Sequence, residues 1–176
     1  WSYLQRRGVD IRKVPDFGIY ELWNLGVEIA RLDGAEEIVI LNDDIIIGKD
    51  FISRLVEPLQ NHDIWFVSAN WDGRAMDEPY KHYPGTRKDG GLCGFAFAMP
   101  IEAFTYGGLK FEERYKVWAG DDDILEQIKR QDKQAVMAQS AFVDHINGGS
   151  NSFGDRCRLV TEENSKDMEL FYSEWR

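Results

Sequence analysis

The sequence predicts an α/β sandwich in which a central, mainly parallel sheet is flanked by helices. Short apolar runs of strand type alternate along the chain with segments whose apolar residues recur at helical spacing. The chain has 176 residues, 43% of them hydrophobic, which is enough for one domain with a substantial core. We therefore expect a single domain over residues 1–176, without an internal repeat or a domain linker.

The first half of the chain contains two helical and two strand-like segments. Residues 17–32 carry apolar side chains at helical spacing, and Asp16 before them suits a helix N-cap. Residues 38–41 form a short apolar run typical of a central strand that is buried on both faces. A second amphipathic helix opens at residues 49–50, and a second strand is predicted at residues 64–69.

The second half begins with residues 70–91, which are rich in Asp, Gly, Pro and Lys and show no periodicity. Loops of this length are usually functional or disordered, so this one is a candidate active-site flap. A strand is predicted at residues 92–99, and Pro100 suits the first turn of a short helix. Residues 122–130 have one apolar helical face, and a last strand is predicted at residues 135–143.

Charge and cysteine content exclude several classes of protein. A formal net charge of −10 argues against broad nucleic-acid binding, which normally depends on Lys and Arg neutralising phosphates. Cys93 and Cys157 lie far apart without a C-x-x-C motif, so neither a zinc site nor a disulfide framework is indicated. The sequence lacks a long apolar run and a secretory signal, so we expect no transmembrane segment, and either a cytoplasmic protein or a soluble piece of something larger.

Three polar clusters follow predicted strands or short loops, where open α/β folds place their sites. They are Asn42-Asp43-Asp44, Asp121-Asp122-Asp123 and Asp144-His145. Adjacent carboxylates directly after a buried strand are costly unless a cation or a hydrogen-bond donor accompanies them, and a divalent metal ion would meet that need. In the alternative interpretation, Asp43 and Asp44 only form a turn or cap the next helix.

The second cluster also has two interpretations. Acidic residues are favoured by the dipole at a helix N-terminus, so residues 121–123 would serve only as caps. Three contiguous carboxylates also repel one another, which raises the pKa of one of them, as a general base requires. Residues 118–120, Trp-Ala-Gly, supply an aromatic wall and a flexible approach. A single histidine such as His145 is more often packed than metal-bound.

The order and spacing of these motifs over residues 16–150 resemble the family 2-like glycosyltransferases of the GT-A fold. Residues 16–18 and 23–27 look like the family helix that precedes the strand with the acidic motif, and Leu41-Asn42-Asp43-Asp44-Ile45 looks like that D-x-D or N-D-D element. Residues 118–125, WAGDDDIL, are similar to its later acidic motif. Val143-Asp144-His145 matches the position of a ligand-bearing histidine after the next strand.

The resemblance implies a metal-dependent hexosyltransferase that uses a UDP- or GDP-linked sugar and a saccharide, lipid-linked or other hydroxyl acceptor. Asp44 would bind Mn²⁺ or Mg²⁺, Asn42 or Asp43 would contact the metal or the ribose, and His145 would be a further metal or diphosphate ligand. Asp121 would be the catalytic base, and an alignment shifted by one residue makes Asp122 the base instead. One base and no covalent nucleophile favour inversion at the anomeric carbon.

The acceptor side and the start of the fold are less well defined. Trp71, Arg87, Lys88 and Trp118 suit contacts with a sugar face or a phosphate, although aromatic residues in the loop suit packing onto their own domain equally well. The family's first strands, which bind the nucleobase and ribose, are not visible before Asp16. Either they belong to a longer natural chain, or this protein is a degenerate variant.

Two other functions fit the same residues. A non-catalytic carbohydrate- or partner-binding domain derived from the GT-A fold would follow from the missing strands, and it predicts no binding of a nucleotide diphosphate. A metal-dependent phosphoryl-transfer or nuclease-like enzyme would also use clustered carboxylates, but the acidic net charge disfavours it.

Overall fold

The computed structural model describes residues 6, 8–12, 14, 17–71, 73, 80–82, 92–146 and 155–175, with the backbone alone at 80–82 and 155–161. The helices are α1 (Ile19–Leu32), α2 (Phe51–Val56), α3 (Ile101–Thr105), α4 (Gly120–Arg130) and α5 (Asp155–Trp175), with a 3-10 turn at Glu57–Gln60. The strands are β1 (Glu37–Leu41), β2 (Ile45–Ile47), β3 (Ile64–Asn70), β4 (Tyr80–His82), β5 (Ala96–Pro100) and β6 (Gln134–His145). No helix in these ranges is long and apolar enough to cross a membrane.

The strands form one sheet in the order β1-β5-β3-β6-β2, and β4 also pairs with β6. Among the described strands only β3 and β6 form a parallel pair, while the other four pairs are antiparallel. The prediction of a mainly parallel sheet is therefore wrong. Parallel neighbours need a long crossover connection, usually a helix, whereas β5 inserts between β1 and β3 and runs opposite to both.

The position and burial of β1 in the sheet also differ from the prediction. It lies at the edge of the described sheet rather than at its centre, and only Ile40 of its five residues is buried. The strands buried at every position are instead β3 and β5. A run of four apolar residues therefore indicates a strand, but it does not reveal how many neighbours that strand has.

Helices cover both faces of the sheet. Because side chains alternate along a strand, Phe97 and Met99 of β5 belong to a cluster with α1, α3 and α4, and Ala96 and Ala98 belong to a second cluster with α2. The result is a three-layer arrangement with an apolar core on each side of the sheet. The predicted α/β sandwich with flanking helices is confirmed.

The predicted helices are present with small shifts at their ends. The helix α1 begins at Ile19, and its N-cap is Gly18, while Asp16 lies outside the described residues. Glu21 accepts a hydrogen bond from the Gly18 N–H at 2.6 Å, which is one half of a capping box. The strand predicted at residues 92–99 begins only at Ala96.

Three elements were not predicted: β2, β4 and α5. The first two have three residues each, too few for a periodic pattern to show. The long helix α5 does carry a signal, because Met168, Phe171 and Trp175 recur at helical spacing. Met168 and Phe171 pack against the cluster that contains α4.

We predict that Ile124→Ala in α4 lowers the free energy of unfolding by about 2–5 kcal/mol, because it leaves a cavity in the core. Ile124 is fully buried, whereas Ile52 in α2 is 43% exposed and provides the matched control. Ile52→Ala should change stability by less than about 1 kcal/mol. Urea unfolding measures both, and equal effects would contradict the packing of α4 against the sheet.

Candidate functional site

A cavity of about 250 Å³ collects residues from several separate segments of the chain. Four of the predicted site residues line it: Asn42, Trp118, Asp121 and His145. The rest of its described lining was not predicted as part of a site and consists of Ile19, Tyr20, Trp23, Gly94, Phe95, Lys116 and Val117. The predicted motifs at the ends of β1 and β6 and at the start of α4 thus meet at one place.

The segment Asn42-Asp43-Asp44 connects β1 to β2. The Asn42 N–H donates to the Phe95 carbonyl at 2.8 Å, and the Asp44 carbonyl accepts from the Ile146 N–H at 2.9 Å. The two ends of the segment are therefore held by different neighbouring segments. Asp43 between them is exposed, so the expected cost of burying two adjacent carboxylates does not arise at this residue.

Asp44 and His145 lie in direct contact. His145 Nε2 is 3.0 Å from Asp44 Oδ1, and about a quarter of each side chain is exposed. The imidazole ring stacks on Phe95 with 4.3 Å between ring centroids and 18° between the planes. The strand pairing explains the contact, because Ile45 lies opposite His145 in the β2–β6 ladder. The unpredicted strand β2 therefore brings the two predicted metal ligands together.

The described residues do not form a metal site from protein ligands alone. Within the described ranges, no three His, Cys, Asp or Glu side chains come together in a group that could hold an ion. Of the predicted ligands, Asp44 and His145 supply one carboxylate and one imidazole. A metal ion bound here would need further donors besides these two side chains.

The segment before α4 is tightly constrained. Ala119, the N-cap of α4, has a left-handed backbone with φ of 69°, which is strained for a residue with a Cβ. The Gly120 N–H donates to Tyr20 Oη at 3.1 Å, and a Cβ on Gly120 would lie 2.1 Å from the Tyr20 ring. The flexible approach expected from residues 118–120 is therefore wrong: Gly120 permits close packing instead.

Asp121 reaches the cavity wall because Gly94 leaves room for it. A Cβ built on Gly94 would lie 2.7 Å from Asp121 Oδ2, closer than real side chains approach. Gly94 lies inside the strand predicted at residues 92–99, and a glycine within a strand can indicate such a close approach. Asp122 is partly exposed and is not among the cavity-lining residues, and its N–H donates to Asp121 Oδ1 at 3.2 Å.

Asp123 is buried and hydrogen-bonded within the core rather than directed into the cavity. It is 2% exposed and accepts hydrogen bonds from Trp175 Nε1 at 2.7 Å, Gln127 Nε2 at 2.6 Å and, more weakly, the Tyr115 hydroxyl at 3.4 Å. Burial raises the pKa of Asp123, and the three hydrogen bonds oppose this shift. This raised pKa belongs to a carboxyl that does not line the cavity, and burial is its largest cause.

The residues predicted for the acceptor side do not all lie at the cavity. Trp118 lines the cavity, whereas Trp71 follows β3, is about half exposed and does not line it. Arg87 and Lys88 lie outside the residues that the structure describes. Lys116 was not predicted, and it belongs to the described lining, while its ammonium donates to the Glu113 carbonyl at 3.3 Å.

No protein-family model matches the chain, and no curated protein matches its sequence. Its structure is similar to the crystal structure of GalNAc-T7 with UDP, GalNAc and Mn²⁺, with a TM-score of 0.64 and 14% sequence identity. The match covers 97% of this chain and 41% of the GalNAc-T7 chain, so this chain spans about two-fifths of the matched protein. GalNAc-T7 is a glycosyltransferase with a GT-A fold. The similarity shows that this chain has a GT-A-like fold.

We predict that Asp123→Asn removes a pH-dependent component of stability. Because the folded-state pKa of Asp123 is raised, its contribution to stability is complete below the unfolded-state pKa and is lost as the pH rises through the folded-state pKa. The wild type should lose stability relative to the variant as the pH rises from about 4. Urea unfolding at several pH values measures the difference, and Asp43→Asn, which removes an exposed carboxylate, is the control. A difference that is independent of pH would refute this role for Asp123.

Proposed function

We propose that this chain is part of an inverting, family 2-like glycosyltransferase that transfers a sugar from a nucleotide-diphospho-sugar to an acceptor hydroxyl with a divalent metal ion. The main support is the convergence of Asn42, Asp121 and His145 on one cavity, with Asp44 bonded to His145. The GT-A-like fold is consistent with this proposal, and the similar GalNAc-T7 structure contains UDP, GalNAc and Mn²⁺.

The donor side would be formed by Asn42, Asp43, Asp44 and His145. A carboxylate suits Mg²⁺ or Mn²⁺ and an imidazole suits a transition metal, so the Asp44–His145 pair fits Mn²⁺ better than Mg²⁺. Two protein ligands leave coordination positions for diphosphate oxygens and water. The bound ion would offset the negative charge of the departing nucleotide diphosphate. Asn42, which lines the same cavity, would contact the metal or the ribose.

The acceptor side would be formed by Asp121 and Trp118. Asp121 takes the proton from the acceptor hydroxyl as the oxygen attacks the anomeric carbon and the bond from that carbon to the diphosphate breaks. Asp121 is the one carboxylate in the described cavity lining, which suits a single displacement with inversion better than a covalent intermediate. Trp118 offers an aromatic face to a sugar ring, and Lys116 offers a cation to a phosphate.

We predict that UDP or GDP binds in the presence of Mn²⁺ and that Asp44→Ala weakens this binding by at least about tenfold, because it removes a metal ligand. Isothermal titration with each nucleotide, with and without Mn²⁺, measures the affinity. Asp144→Ala is the matched control, since Asp144 is exposed and adjacent to His145 on β6. If neither nucleotide binds under any condition, the proposal fails in favour of a non-catalytic carbohydrate- or partner-binding domain.

We also predict that Asp121→Asn lowers sugar transfer or donor hydrolysis by about 10²–10⁴-fold, the usual contribution of a general base. Nucleotide affinity should stay within about threefold, because Asp121 acts on the acceptor rather than on the diphosphate. Asp122→Asn provides the comparison, and a larger loss of rate in that variant would make Asp122 the base. NMR of the first product determines its anomeric configuration, and retention would contradict the single displacement.

A further inference from the structure

Asp167 on α5 lies outside every predicted motif, yet its carboxylate contacts the backbone of the cavity wall. It is 3% exposed and accepts hydrogen bonds from three successive N–H groups. The Lys116 N–H lies 3.0 and 3.1 Å from its two oxygens, and the N–H groups of Val117 and Trp118 lie 2.8 and 2.9 Å from Oδ2. One buried side chain thus satisfies the donors of three consecutive residues.

This arrangement specifies the conformation of the segment. Three successive N–H groups converge on one anion only for particular backbone angles, as in the anion-binding nests of turns. Hydrogen bonds to a charged acceptor are about twice as strong as those between neutral groups. A buried carboxylate that lost these donors would be unfavourable. The position of Asp167 and the conformation of residues 116–118 therefore depend on each other.

The segment that Asp167 holds leads directly to Asp121. Residues 116–118 all line the cavity, and the strained Ala119 and the tightly packed Gly120 follow. Such strain persists only where the surroundings over-determine the backbone. Tyr20 contributes to this by donating to the Val117 carbonyl at 3.2 Å and accepting from the Gly120 N–H at 3.1 Å. Residues 116–118 are thus joined to Asp121 by two residues whose backbone is closely constrained.

The same helix also holds the segment beyond Asp121. Trp175 donates to Asp123 Oδ1 at 2.7 Å, so α5 contacts the chain on both sides of Asp121. Other contacts keep α5 docked independently of Asp167. The Arg114–Glu174 ion pair and the stacking of Arg130 on Trp175 are polar examples, and Met168 and Phe171 pack into the core. The docking of α5 therefore does not depend on Asp167 alone, and the contacts of Asp167 are with the cavity wall.

We propose that Asp167 is a positioning residue for the reaction: it sets the conformation of residues 116–118 and thereby orients Trp118 and Asp121 in the cavity. The assignment to a reaction depends on the function proposed above, whereas the effect on the backbone can be tested without any activity. Asp167→Asn keeps the shape of the side chain. It replaces one acceptor oxygen by an NH₂ group, which is a donor facing the backbone donors.

The first measurement is the amide NMR spectrum of the full chain. Asp167→Asn should move the resonances of residues 116–118 and also those of residues 119–122 and of Gly94, which packs against Asp121. Glu174→Gln is the matched control, because it removes a carboxylate of α5 that pairs with Arg114 and does not contact the cavity wall. If the changes stop at residues 116–118, the proposal is overturned whether or not the protein is active.

The second measurement separates turnover from binding. We expect Asp167→Asn to lower kcat by at least about tenfold while nucleotide affinity changes by less than about threefold, and Glu174→Gln to change neither. Urea unfolding confirms that the variants are folded under the assay conditions. If Asp167→Asn does not fold, Asp167→Glu tests the same point, because it keeps the charge but displaces the oxygens by one methylene. An unchanged kcat in the folded variant refutes the assignment, and an inactive wild type refutes the proposed function alone.

Discussion

The cavity depends on the close approach of α4 to α1 and to the segment before β5. A Cβ on Gly120 would lie 2.1 Å from the Tyr20 ring, and a Cβ on Gly94 would lie 2.7 Å from Asp121 Oδ2. Real Cβ atoms essentially never come within 3.0 Å of such neighbours. The position of Asp121 therefore depends on the absence of a Cβ at Gly94 and Gly120 as much as on its own contacts. The left-handed backbone at Ala119 is part of the same constraint, because it turns the chain into α4 where that approach begins.

Local patterns predicted the elements better than their arrangement. Helices α1, α2 and α4 and strands β3 and β6 could be predicted because apolar spacing is a property of a short stretch of sequence. Strand direction and the partners of β1 could not, because they depend on residues far along the chain. The family resemblance implied that Asp44, His145 and either Asp121 or Asp122 share one cleft. In the structure Asp121 and His145 line one cavity, whereas Asp44 reaches it only through its contact with His145. Asp167 was missed because its partners are backbone groups, which leave no pattern in a sequence.

The three adjacent acids of α4 show how helix geometry separates similar residues. Each residue of an α-helix is rotated by about 100° from the one before, so Asp121 lies on the same side as the buried Ile124, Leu125 and Ile128. This phase directs Asp121 inwards, and it could have been derived from the sequence. Asp123 lies on a different side, and its burial requires α5, which supplies Trp175. Without knowledge of α5, the sequence could not distinguish a structural carboxyl from a catalytic one.

The two sides of the cavity rest on different parts of the fold. Asp44 and His145 are brought together by β2 and β6, and Phe95 stacks on His145 from the segment before β5. Asp121 is held through α4, with α1 and α5 supporting the backbone around it. A change in α5 therefore reaches Asp121 without passing through the β2–β6 pair. Because these supports are separate, the contributions of the two sides to nucleotide affinity and to turnover can be separated by mutation.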